Sequence, residues 1–211
     1  MTLSIDGVSK SYGPGVVALR PFTLEAKAGE TVVLTGANGS GKTTLLRIIA
    51  GLARPSSGSI RFGGFDTRDL GRAFGRRVAY LGHDPALYRE LTARENVDLA
   101  VALKGEVNRG AADALTAVAL DPDDTRPVGA YSRGMKQRVA WARILATNAE
   151  VALLDEPFTA LDHASTARVL TALGDWLRAR SRITFIATHA LEPVSALGAR
   201  FVELQGFGGP S

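Results

Sequence analysis

The run Gly36-Ala37-Asn38-Gly39-Ser40-Gly41-Lys42-Thr43 fits the pattern G-x-x-x-x-G-K-[ST]. It follows the apolar run Thr31 to Leu34 and precedes the helical run Leu45 to Ala50, the strand-loop-helix setting that such a loop needs. The glycines let the backbone turn its amides inward around a phosphate, and the helix N-terminus adds positive potential. Lys42 reaches the outer phosphates, and the Thr43 hydroxyl, with Thr44 beside it, opens the helix where magnesium is ligated. A second reactive group closes another apolar run: Val151-Ala152-Leu153-Leu154 leads straight into Asp155-Glu156-Pro157. Carboxylates at the end of a buried parallel strand emerge on the edge where such a sheet holds ligands. Asp155 is expected to bind magnesium, directly or through water. Glu156 is expected to polarise the attacking water as a general base, its affinity for protons raised by Asp155. Together the two motifs imply hydrolysis of a nucleoside triphosphate.

Positioning these groups requires a buried sheet. Continuous apolar runs at Thr31–Leu34, Val78–Leu81, Val151–Leu154 and Ile183–Ile186, each followed by polar residues or glycine, read as strands buried on both faces. Helical patterns separate them, so the class is α/β with a mainly parallel sheet. The opening stretch alternates instead, with Leu3, Ile5 and Val8, then Phe22, Leu24 and Ala26, apolar, and turns at Gly13-Pro14-Gly15 and Ala28-Gly29-Glu30. That pattern predicts antiparallel strands. From about Thr92 to Leu120 the chain is rich in alanine and leucine at helical spacing, with a break at Lys104-Gly105 and no strand signal, so a helical lobe is expected beside the sheet. The expectation is one domain over residues 1–211, its core formed by 1–91 and 148–205, a helical part at about 92–147 and a loose tail at 206–211.

Composition narrows the classes further. The chain has 211 residues, 45% hydrophobic and 22% charged, which suits a folded domain. Without cysteine, disulfides, thiolate zinc sites, iron–sulfur clusters and cysteine nucleophiles are excluded. Neither a run long enough to span a membrane nor a secretory leader is evident, which predicts a cytoplasmic location. The net charge of +4 comes from arginines scattered along the chain and reads as solvated surface, with no nucleic-acid partner expected.

Between the two phosphate motifs lies Tyr131-Ser132-Arg133-Gly134-Met135-Lys136-Gln137-Arg138, at the head of the apolar helix Val139 to Ala146. It resembles the signature Leu-Ser-Gly-Gly-Gln of the nucleotide-binding subunits of ABC transporters; Ser132 and Gly134 match, and the other three positions of the five depart. The resemblance runs through nearly the whole chain. Phe158-Thr159-Ala160-Leu161-Asp162 is similar to the family's D-loop, His189 to its switch histidine, which contacts the γ-phosphate and orients the water, and Tyr12 to the aromatic residue that stacks on adenine. His83, in Gly82-His83-Asp84-Pro85, stands where most relatives carry the Q-loop glutamine that contacts magnesium, and its charge depends on pH. By this resemblance the ligands are ATP and Mg2+. Ser132 and Gly134 would reach a γ-phosphate bound on a second copy, and Asp162 would link the two sites. A homodimer closed by ATP follows, docked on integral membrane permease subunits at the cytoplasmic face of the inner membrane.

Tyr80-Leu81-Gly82-His83, Glu90-Leu91-Thr92-Ala93-Arg94-Glu95-Asn96 and Leu154 to Asp162 are similar to the ATP-binding subunits of the haem exporters of cytochrome c maturation. That similarity implies an ATPase motor for haem export. The signature resembles those of drug, polysaccharide and other type-2 exporters, which keeps another exporter open, as well as an ABC ATPase without a transport role. Direct haem binding is not expected, because Cys-x-x-Cys-His is absent and two of the three histidines have roles at the nucleotide.

Overall fold

The computed structural model describes residues 1–106 and 110–205, so the expected loose tail lies outside the described residues. The chain opens with two long strands, β1 (Thr2–Ser11) and β2 (Val17–Lys27), whose alternating pattern lets one face be buried and the other wet. They pair antiparallel, and β4 (Ser57–Phe62) and β5 (Phe65–Asp66) extend them into a sheet of order β2-β1-β4-β5.

The second sheet is built from β3 (Thr31–Thr35), β6 (Val78–Leu81), β7 (Val151–Asp155), β8 (Ile183–Ala187) and β9 (Arg200–Glu203), in the order β6-β7-β8-β3-β9 with every neighbouring pair parallel. Every residue of β7 and β8 is buried, the reason these strands read as unbroken apolar runs. Successive side chains serve opposite faces. Ala152 and Leu154 join a cluster with Trp141, Leu173 and Ile186, whereas Val151 and Leu153 join Leu34, Leu45, Ile60 and Phe185 on the other side. Each such fully buried leucine or isoleucine stabilises the fold by about 1.5–3 kcal/mol.

Eight residues after β3 form α1 (Lys42–Ile49), and the short helices α2 (Thr67–Leu70) and α3 (Arg72–Arg77) lead into β6. The helical part contains α4 (Ala93–Leu103), α5 (Ala111–Ala117) and α6 (Arg133–Leu145), packed on one another. Helix α4 starts in a capping box: the Thr92 hydroxyl accepts from the Glu95 amide at 3.2 Å, and the Glu95 carboxylate accepts from the Thr92 amide at 2.8 Å. Helix α7 (His163–Arg178) covers β7 and β8 with Val169, Leu173 and Trp176.

Strands β4 and β9 have no counterpart among the strands expected from sequence. Arg200–Glu203 leaves three of its four residues exposed, and β3 alone holds it, so its place comes from pairing rather than from a local pattern. What the architecture gives function is simple. The carboxyl ends of β6, β7, β8 and β3 lie side by side; Asp155 closes β7, and the loops leaving the strands carry His83, Glu156, His189 and the glycine-rich run.

Candidate functional site

The loop between β3 and α1 is shaped by contacts that only glycine tolerates. Gly41 has φ +100°, and a Cβ there would lie 2.6 Å from the Ala18 carbonyl oxygen and 2.9 Å from the Leu19 side chain on β2. The antiparallel sheet therefore presses on the loop, and glycine is what lets α1 begin there. Helix α1 has no side-chain cap and no acidic residue in its first turn, leaving its first amides to an anion. The Lys42 ammonium donates to the carbonyls of Gly36 at 2.7 Å and Ala37 at 3.1 Å, and so spans the loop from inside. Burial lowers its pKa, and the nearby Glu156 and Asp155 work against that shift.

Across from the loop, the Thr43 hydroxyl donates to one Asp155 carboxylate oxygen at 3.1 Å. The other, Oδ2, is buried with no hydrogen-bond partner. Burial raises the Asp155 carboxyl above its ordinary range; the Thr43 bond opposes this, and Glu156 adds a smaller push upward. Glu156 stands at φ +49°, receives a bond from the Thr188 hydroxyl at 3.3 Å, and lies 3.8 Å from His189 Nε2. A cleft of about 510 Å³ collects these groups. Asn38, Gly39, Ser40, Gly41, Lys42, Thr43 and Thr44 line it from the loop side, and His83, Asp155, Glu156 and His189 from the strand ends.

Five residues singled out from sequence do not line this cleft; one is Gly36, whose carbonyl accepts from the Lys42 ammonium. Tyr12 lies in the β1–β2 turn, 63% exposed, with the Lys10 ammonium 4.9 Å from its ring centre. Ser132 is the N-cap of α6 and accepts from the Met135 amide at 3.2 Å. Asp162 is the N-cap of α7 and accepts from the Ser165 amide at 2.7 Å. Gly134 lies against the D-loop-like segment, where an added Cβ would be 2.9 Å from the Ala160 carbonyl oxygen. Ser132 and Asp162 are exposed, so their caps leave them open to solvent.

A family model described as "ABC transporter" matches residues 19–159. The chain belongs to the ABC transporter family. The cytochrome c biogenesis ATP-binding export protein CcmA of Rhizobium etli is 38% identical over 213 residues, covering 99% of this chain and 97% of that protein. The Fe(3+) ions import ATP-binding protein FbpC 1 of Rhodococcus jostii is 38% identical over 190 residues, and the sulfate/thiosulfate import ATP-binding protein CysA of Bacillus cereus 40% over 186. This ABC chain spans about half the length of those two importer proteins, 55% and 50%. Among solved structures, a bacterial ABC transporter cassette in dimeric form superposes with TM-score 0.86 at 28% identity, covering 96% of this chain and 94% of that one. A post-hydrolysis dimeric cassette bound to ADP and phosphate gives TM-score 0.86 at 28% identity, covering 98% and 97%.

The ABC ATPase fold explains the neighbours that the sequence reading passed over. Ala18 and Thr159 complete the wall of the cleft, and Thr188 bonds the Glu156 carboxylate. Thr159 sits inside a segment already quoted for its motif, and Thr188 directly precedes His189. Ala18 carries no sequence signal, because it contributes by where β2 passes. The residues fit a magnesium ion: Asp155 Oδ2 is a buried acceptor without a partner, and the Thr43 hydroxyl adjoins the same carboxylate. Among the described residues no cluster of three acidic or histidine side chains forms a cage. Such an ion would take much of its coordination from nucleotide phosphates and water.

Proposed function

We propose that the chain is the ATP-hydrolysing motor subunit of a membrane exporter, and that its cargo pathway is haem export in cytochrome c biogenesis. The observation carrying the cargo reading is coverage: the alignment to the Rhizobium etli export protein spans 99% of this chain and 97% of that protein, against 55% and 50% of the two importer proteins. The importers reach the same 38–40% identity, which favours as the second reading a transporter motor with another cargo.

In this mechanism the amides of Gly39 to Thr43 and the Lys42 ammonium bind the ATP phosphates, and Gly36, Asn38, Ser40 and Thr44 shape the loop around them. Thr43 and Asp155 would hold Mg2+, with His83 the further candidate at that position; when bound the ion would neutralise negative charge on the phosphates. Glu156 accepts the proton of the attacking water as general base, and His189 donates a hydrogen bond toward the γ-phosphate. Tyr12 stacks on adenine. Ser132, Gly134 and Asp162 complete the site of a second copy, so ATP lies within a two-fold dimer interface and hydrolysis releases it. The dimer works as a peripheral subunit on the cytoplasmic face of the inner membrane, bound to permease subunits that handle the cargo.

The test uses the Glu156→Gln chain, tagged, with MgATP, extracted gently from native membranes. The expected result is a stable dimer recovered with integral membrane subunits and haem absorbance. Recovery of a different permease without haem replaces the cargo. A chain that stays monomeric in MgATP overturns the motor mechanism.

A further inference from the structure

The carbonyl of Pro157, next along the chain from Glu156, accepts two side-chain hydrogen bonds from one helix. Gln137 Nε2 donates at 2.8 Å and Trp141 Nε1 at 2.9 Å, both from buried positions on α6. Four residues apart, they lie on one helix face a turn from each other. The Trp141 ring also stacks on Phe158, centroids 6.0 Å apart at 29°.

The segment they grip needs holding. Glu156 is in the left-handed region, a strained choice for a residue with a Cβ, and persists only where its surroundings over-determine it. Upstream, the Glu156 amide donates to the Ala187 carbonyl at 2.8 Å. Downstream, the Glu156 carbonyl accepts from the Thr159 amide at 3.2 Å, and Pro157 has no N–H to offer, so its carbonyl is the next polar handle after that.

We infer that Gln137 and Trp141 are positioning residues for Glu156, aiming its carboxylate by fixing the Pro157 carbonyl. The inference rests on the reading of Glu156 as general base. Its consequence is that the helix beginning after Ser132 also sets the direction of the carboxylate in its own chain. With the base displaced by a fraction of an ångström the chain still binds nucleotide but activates the attacking water poorly. Turnover is therefore the sensitive quantity, and affinity is not.

Steady-state ATPase kinetics of the full chain test this. Gln137→Leu, which deletes its donor at similar volume, and Trp141→Phe, which deletes its donor with a smaller ring, are each expected to lower kcat by about 3–10-fold with KM for ATP within about twofold, and the double variant by about 10–100-fold. Gln137→Glu places a carboxylate, an acceptor, against the carbonyl; its deficit relative to wild type shrinks as pH falls and the new acid regains a donor proton. Gln137→Leu shows no such relief. A packing role alone moves thermal stability and leaves this pH profile flat. Should Trp141→Phe not fold, the two Gln137 variants decide. The control is Glu156→Gln in the same assay: retained turnover there removes the base reading, and this inference with it. A dead Glu156→Gln alongside folded Gln137 and Trp141 variants of wild-type kcat, or of raised KM at unchanged kcat, overturns this inference alone.

Discussion

Two regions of the chain hold the residues to which the proposed function assigns phosphate contacts, and the structure assembles them to different degrees. At the cleft, the loop, both carboxylates and two histidines converge, and the leftover valences point inward: an ammonium bonded to its own loop and a carboxylate oxygen with no partner. On the Ser132–Asp162 face, each polar side chain is spent on a local helix cap and is otherwise exposed. The first region is a site within one chain. The second lies outside that cleft, and in the proposed dimer it would face the nucleotide of a second copy. Caps and phosphate ligands are chemically alike, since both satisfy the free amides of a helix start.

The largest expected effect separates the two regions directly. Lys42→Ala removes the phosphate contact, while Ser132→Asp keeps a capping oxygen and places a negative charge where a partner's γ-phosphate would lie. Each variant alone is expected to lose ATPase activity by about 100-fold or more. Mixed in equal amounts they should regain a measurable fraction, because one of the two shared sites then pairs an intact loop with an intact signature. Mixtures as inactive as their components, in an assay where the variants still dimerise, break the comparison.

A smaller effect sharpens the first region. The Asp155 carboxyl has its pKa raised by burial, so at neutral pH its charge opposes folding in the absence of metal. That opposition fades as pH falls from the raised value toward the ordinary carboxylate range. Asp155→Asn is expected to abolish turnover yet raise the melting temperature of the metal-free protein by about 2–4 °C near neutrality, with the gain shrinking at low pH. Calorimetry at two pH values checks the sign. Smallest is the effect at Asp162. Asp162→Ala loses the α7 cap and is expected to melt about 2–4 °C lower, whereas Asp162→Asn keeps the cap and the melting temperature. If Asp162→Asn lowers ATPase without moving stability, the second region has a role beyond capping.

The α/β class was legible because β3, β7 and β8 are buried on both faces and so read as unbroken apolar runs. The phosphate loop was legible because glycines and a lysine at fixed spacing act locally, and the family because Tyr131 to Arg138, Phe158 to Asp162 and His189 resemble its further motifs. Strands β4 and β9 were not, since their residues are partly exposed and held by neighbours distant in sequence. The same holds for Ala18, which reaches the cleft only because β2 runs past Gly41.

From sequence alone came the residue chemistry and the local conformations: which loop turns its amides inward and which strands must be covered. The tertiary structure decided which of these groups share a cleft. Adjacent strands lie only about 4.8 Å apart, so the order β6-β7-β8-β3 brings His83, Asp155, Glu156, His189 and Lys42 together although more than a hundred residues separate the first and last of them in the chain. It also left Ser132 and Asp162 outside that cleft, exposed at the starts of α6 and α7.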